Sequence, residues 1–297
     1  MTELTTNREL SALLHLLDEP DENAFGQIEE KIFTFGREAI PLLEKTGEES
    51  LDGLVQERVG RIIRKIRSES SDMELETWIK TGSSDLLKGI ILITRTQFPD
   101  LDIEDINIRI EQLKMDAWLE LNENLTALEN VKVLNHILFQ VHHFEGNRVE
   151  PYAPDNLFIH TLLDSRKGSP LSLGMLYIII AQKLNIPVFG VNLPQHFILA
   201  YASELGMTLP ETEDILFYID PFNKGSVFTR REIELFVRQL KIKPDPAFFS
   251  PCSNIDIIKR MINNLIFSYS QAGNQEKAEE FHRLLKIFTP EDDTLNG

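Results

Sequence analysis

Residues 166–220 limit what this chain can fold into more than any other stretch. They open Arg166-Lys167-Gly168-Ser169-Pro170-Leu171-Ser172. Ser169 suits a helix N-cap, because its hydroxyl accepts from the free N–H groups of a first turn. Pro170 then falls at the first helical position, where a missing N–H and a fixed φ are no loss. Residues 171–184 are almost wholly apolar, so the helix they form belongs in a core. Asn185-Ile186-Pro187 ends it. Residues 188–191, 197–202 and 215–219 are rich in β-branched and aromatic side chains, which predicts strands.

The same stretch carries the chemistry. Ser172 lies in the first turn of the helix, where exposed N–H groups and the positive end of the dipole favour an anion or a developing oxyanion. The strands present one imidazole, His196, and one carboxylate, Asp220. A nucleophile at a helix start, a His as base and an Asp to orient it form the logic of a covalent hydrolase or acyl transferase. The nucleophile is the irregular part. The only cysteine, Cys252, lies well beyond Asp220 in a loop next to Pro251, so it is expected outside the core and chemically incidental. A thiol with a pKa of ~8.5 keeps a few per cent of thiolate at neutral pH, whereas a serine hydroxyl depends wholly on its base.

Together these residues resemble the core of the transglutaminase-like superfamily, in which a Cys begins the core helix and His and Asp follow on successive strands. More closely, residues 166–173 with Leu193-Pro194-Gln195-His196-Phe197 and Tyr218-Ile219-Asp220-Pro221-Phe222 are similar to the bacterial SirB-type branch. The resemblance covers residues 86–290. It implies a papain-like helix-on-sheet core, with His196 and Asp220 in the base and orienting slots. For the nucleophile slot, residue chemistry points to Ser172 or Ser169, while counting back from Ile186-Pro187 lands near Pro170. Ser172 is the candidate, and the register stays open. Residues 146–156, with two prolines, a glycine and three Asx residues, read as a loop. They are similar to the segment before the core helix in that branch. The resemblance implies that Asn147, Arg148 and Asn156, with Ser169 and Gln195, brace or line the pocket. Taken by themselves they read as turn and cap residues.

A hydroxyl in a site built for sulfur usually disarms it. The expected function is therefore a non-catalytic transglutaminase-like scaffold that binds a protein or peptide. The alternative is a hydrolase or amide-transfer enzyme using a Ser-His-Asp variant of the triad.

The rest of the chain narrows the classes. With 47 acidic against 30 basic residues and a net charge of −17, it lacks the basic surface that nucleic-acid binding needs. An anionic membrane would repel it too. One cysteine excludes a disulfide framework, and no histidine spacing matches a zinc pattern, so neither metal nor cofactor is expected. The first eight residues lack a signal-peptide pattern and the apolar run of the core helix is too short to span a bilayer, so a cytoplasmic location is expected.

Three parts follow from the periodicity, within a mostly helical α+β fold. Residues 1–72 read as a HEAT-like helical cap closed by a polar linker at 67–72. Residues 73–245 form the core, with Trp78 and Trp118 buried. Residues 246–297 follow a second linker at 244–251. There Leu265, Tyr269, Gly273, Ala278 and Pro290 match the signature spacing of one tetratricopeptide-type hairpin.

Overall fold

A computed structural model describes residues 3–203 and 209–288, with side chains from Arg8 onward. The fold is α+β and mostly helical, and its described residues divide into two compact units, Met1–Thr77 with Arg95–Pro99 and Trp78–Thr94 with Asp100–Gly297.

The first unit is built from α1 (Glu3–Leu14), α2 (Glu22–Phe33), α3 (Ile40–Glu49) and most of α4 (Gly53–Lys80). Asp21 caps α2 by accepting from the N–H groups of Asn23 and Ala24, and Pro41 sits in the first turn of α3. Helical spacing brings Leu14, Leu17, Phe25, Ile32, Leu43 and Ile62 into one core. Arg58, 2% exposed, donates to the carbonyls of Leu17 and Glu19 and to the carboxylate of Glu22. The linker expected at residues 67–72 is instead the middle of α4. The stretch is polar but holds neither Gly nor Pro, so nothing breaks the ladder between buried Ile66 and Leu75.

The second unit begins its helices with most of α5 (Leu86–Gln97), α6 (Ile103–Glu120) and α7 (Ala127–Asn135), which runs on into a π-helical turn at His136–Val141. Asp102 caps α6, and Thr126 with Glu129 forms a capping box on α7. On α6 the buried stripe is Ile106, Ile110, Leu113 and Ala117. Trp118, expected in the core, lies one position (about 100°) round the helix and is 57% exposed.

A short parallel pair, β1 (Glu145–Gly146) with β2 (Lys167–Gly168), brackets α8 (Ile159–Ser165) and leads into α9 (Pro170–Lys183). Leu171 through Ala181 of α9 are all buried. Against α9 lies a four-stranded antiparallel sheet of β3 (Val188–Leu193), β4 (His196–Ala202), β5 (Ile215–Asp220) and β6 (Ser226–Phe228), in that spatial order. Close approach is possible because α9 carries Gly174, where a Cβ would come within 2.5 Å of the Phe197 ring. Side chains alternate along a strand, so Phe197 and Leu199 face α9 while Ile198 and Ala200 face the other way. That second face packs with Val191, Leu193 and Tyr218 against Ile233 and Val237 of α10 (Arg230–Gln239).

Residues 244–251 were expected to be a free linker, but their backbone is fixed to the sheet. Phe249 is 3% exposed, and the Tyr218 hydroxyl donates to its carbonyl at 2.8 Å. Cys252 is likewise not outside the core. Its N–H donates to the Gly190 carbonyl on β3 at 2.8 Å. The unit closes with a helical hairpin, α11 (Asn254–Gln271) and α12 (Gln275–Lys286). Gly273 takes a positive φ in the turn, Ala278 is fully buried, and Tyr269 stacks on Phe281 at 5.7 Å; Pro290 lies outside the described residues.

Candidate functional site

The site is assembled at one end of the sheet, where β4 begins and β5 ends. Leu193 pairs with His196, so Pro194-Gln195 is a two-residue hairpin, with Pro at its first central position and Gln195 at φ 60° at its second. The hairpin puts His196 at the first position of β4. Leu199 opposes Ile219 on β5, so by alternation His196 and Asp220 share one face of the sheet. His196 Nε2 lies 3.1 Å from Asp220 Oδ2. The imidazole also meets Phe222 edge-on, with centroids 6.2 Å apart, and tilts against Phe236 of α10.

Asp220 is heavily engaged. Its Oδ1 accepts from the N–H groups of Phe222 at 3.0 Å and Asn223 at 3.3 Å, and its Oδ2 accepts from Asn223 Nδ2 at 2.5 Å. Burial pushes this carboxyl up. The bond and charge of His196, with the bonds from Asn223, outweigh that and hold it below the ordinary carboxylate range. An ionised carboxylate only accepts, so in the neutral ring Nε2 carries the proton and Nδ1 is left as the acceptor. Among the described residues nothing is hydrogen-bonded to that Nδ1.

The start of α9 is built for another purpose. Ser169 Oγ accepts from the Ser172 N–H at 3.0 Å, and Ser172 Oγ accepts from the Ser169 N–H at 2.9 Å, a reciprocal capping box. Ser172 Oγ then donates to the Asn156 carbonyl at 2.5 Å. Ser172 is fully buried and Ser169 7% exposed, and no hydrogen bond joins either hydroxyl to His196 among the described residues. Strand alternation supplies the reason: His196 and Asp220 sit on the α10 face of the sheet, and α9 covers the opposite face.

The loop residues brace this arrangement. Asn147 Oδ1 accepts from the Val149 and Glu150 N–H groups, and its amide donates to Asn156 Oδ1 at 2.9 Å. Asn156 Nδ2 donates to the Glu150 carbonyl at 2.5 Å. Arg148 takes a different route, donating to Asn223 Oδ1 at 2.8 Å, so that Arg148, Asn223, Asp220 and His196 form one chain of polar contacts.

Three clefts border the site. One of about 510 Å³ is lined by Tyr152, Ser169, Gln195, His196, Arg260 and Phe267, among others. A second of about 470 Å³ lies on the α10 side, where Ile198, Phe228, Ile233 and Phe236 surround His196 and Asp220. A third of about 520 Å³ is ringed by Asn147, Arg148, Lys167 and Lys224. Gln195 lines the first two.

Comparison with known proteins now fits this geometry. The family model of the transglutaminase-like superfamily matches residues 104–263, more than half of the chain, from the start of α6 to the middle of α11. The chain belongs to the transglutaminase-like superfamily. It is similar to F-box only protein 21 of Homo sapiens and of Mus musculus, 32% identical over 154 residues, which is 52% of this chain but only 23% of each of those proteins. It is also similar to the UPF0162 protein of Xylella fastidiosa (strain 9a5c), 28% identical over 217 residues, covering 71% of this chain and 74% of that one. The UPF0162 protein YchA of Escherichia coli (strain K12) is 25% identical over 211 residues, covering 70% and 75%. No solved structure matches.

Within this transglutaminase-like core His196 and Asp220 are paired, and the two serines at the start of α9 form its cap. Cys252 supplies no reactive thiol. Burial, with the nearby Asp256 charge, pushes its thiol up to about 12, so it stays neutral and unreactive at ordinary pH. Two site residues escaped sequence reading. Asn223 carries no mark in the sequence beyond its place three residues after Asp220. Arg260 donates to the His196 carbonyl at 2.7 Å from a helix 64 residues on, and no sequence signal marks it.

Proposed function

We propose that this protein is a non-catalytic transglutaminase-like scaffold whose cleft between the start of α9, the β3–β4 hairpin and α11 receives a peptide or protein segment. The observation that carries the reading is the fate of the two serines. Both hydroxyls are taken up by the α9 cap and the Asn156 carbonyl, so neither serine is offered to the imidazole of His196 as a nucleophile. The His196–Asp220 pair then serves structure, tying the hairpin to the end of β5. An exposed aromatic pair at the mouth of the cleft, Tyr152 and Phe267 with centroids 5.8 Å apart, supplies the anchoring surface that recognition sites use. Within the superfamily we place the chain in the SirB-type branch on its Arg166–Leu173, Leu193–Phe197 and Tyr218–Phe222 motifs. The α11–α12 hairpin we read as one tetratricopeptide-like repeat, too small to form a groove alone.

The test compares the protein with its His196→Ala variant in two assays: amine incorporation into casein, and labelling by a fluorophosphonate followed by peptide mass spectrometry. The scaffold reading expects neither incorporation nor an adduct at Ser169 or Ser172. An adduct there that disappears with His196→Ala, or turnover that falls on the order of 10²-fold or more in that variant, establishes the Ser-His-Asp enzyme instead.

A further inference from the structure

The α9-side cleft holds a charge that the protein itself does not neutralise. Arg260, on α11, is half-buried, and its guanidinium donates only to neutral acceptors: the His196 carbonyl at 2.7 Å and Asn192 Oδ1 at 3.2 Å. Among the described residues it forms no ion pair, although the chain carries 47 acidic side chains against 30 basic ones. The acids near it are engaged elsewhere. Asp256, one turn before it on α11, accepts from the N–H and hydroxyl of Ser253, and Asp220 is held by His196 and Asn223.

A guanidinium has five N–H donors in a planar fork that matches a carboxylate two bonds at a time. Two of its nitrogens are directed at protein oxygens, which fixes the group in orientation while leaving donors unused. The group is seated 5.8 Å from the Phe197 ring, in the same cleft as Asn264 and the exposed Tyr152–Phe267 pair. Desolvating a cation and then supplying no counter-charge is unfavourable, and a ligand carboxylate reverses that deficit on binding.

We propose that Arg260 makes this cleft selective for a peptide bearing a carboxylate next to an aromatic or large apolar residue. The carboxylate contacts the guanidinium beside the β3–β4 hairpin, and the apolar neighbour packs on Tyr152 and Phe267. This inference rests on the peptide-binding reading above and names the chemistry of its ligand. A Glu or Asp side chain and a free chain terminus carry the same group, so the experiment separates them.

Fluorescein-labelled heptapeptide pools, random except for a central Phe-Glu, Phe-Gln or Phe-Lys, are titrated by anisotropy, all amidated at the C-terminus. A further pair of pools ends in Phe, one as free acid and one as amide. Either the Phe-Glu pool or the free-acid pool should bind about tenfold tighter than its neutral partner. Arg260→Gln should abolish that preference, so that charged and neutral pools bind it alike. Asn264→Asp, which places a carboxylate one turn from Arg260 in the cleft wall, should abolish it as well and guards against misfolding of the first variant. Equal binding of charged and neutral pools, or a preference that survives both variants, overturns the carboxylate assignment but not the cleft. Absence of binding by every pool overturns the peptide-binding reading and this inference with it.

Discussion

The two halves of the site differ in what surrounds their polar atoms. At the start of α9 the Ser169 and Ser172 hydroxyls bond each other, and Ser172 also donates to the Asn156 carbonyl of the preceding loop. At the end of the sheet, His196 and Asp220 come from different strands and meet at 3.1 Å, with Asn223 and Arg148 behind them. The first half looks after a helix end. The second is a long-range pair at the border of two clefts, the kind of arrangement that acid-base chemistry uses. On the scaffold reading proposed above, the His-Asp pair corresponds to the base and orienting slots of the family, and the serines nearest the nucleophile slot serve as a cap. The difference teaches that each half has a structural duty of its own, one closing a helix end and the other joining two strands.

The largest effect should come from the long-range half. Asp220→Ala leaves the imidazole and three N–H donors without their acceptor in a place where Asp220 is 7% exposed, and should cost about 3 kcal/mol by urea unfolding. The pH dependence follows from the same carboxylate. Its folded pKa lies below the ordinary 3.8, so its contribution to stability is present above that value and fades as pH falls further. Asp220→Asn should flatten the unfolding curve below about pH 4 relative to the parent protein. If both variants were as stable as the parent and showed the same acid limb, the pair would be ornamental and the comparison would collapse.

Next comes the turn that seats the cap. A Cβ at Gly168 would lie 2.6 Å from Ser172 Oγ and 2.8 Å from Leu162 Cδ1, so Gly168→Ala should destabilise by about 2 kcal/mol. Ser172→Ala removes the buried bonds to Asn156 and Ser169 and should lose about 1.5 kcal/mol, without altering ligand affinity in the α9-side cleft. A drop in binding with unchanged stability would make Ser172 a functional hydroxyl after all and blur the two halves. The smallest effect belongs to Cys252. With its thiol at about 12, modification by a disulfide reagent at pH 8 should be slow in the folded protein and fast in denaturant. Rapid labelling of the native state would show that the loop opens and that sulfur is available near the sheet.

Much of the second unit was legible because its signals are local. The Ser169-Pro170 start, the apolar run of α9 and the Ile186-Pro187 stop are each set by neighbouring residues, and each is where the chain placed it. The linkers were not. Residues 67–72 are polar on a helix that buries Ile66 and Leu75, and residues 244–251 are Pro-rich yet anchored through Phe249. Polarity and proline describe exposure and backbone stiffness, not whether a segment is tied down. Trp118 misled for a similar reason: its apolar size suggested the core, while the phase of α6 put the neighbouring Ala117 inside.

The sequence by itself determined the helix starts and stops, the apolar helix that must be covered, the strand alternation, and the order in which a serine, a histidine and an aspartate appear. Those follow from hydrogen bonds and side-chain spacing within one turn or one strand. Tertiary structure alone decided which of them meet. Pairing of β4 with β5 brought His196 to Asp220, while the packing of α9 on the opposite face of the sheet kept the serine hydroxyls in their cap. It also carried Arg260 to the His196 carbonyl from 64 residues away. Contacts of that range depend on how whole faces are covered, and face coverage is a property of the packed molecule that no short stretch of residues encodes.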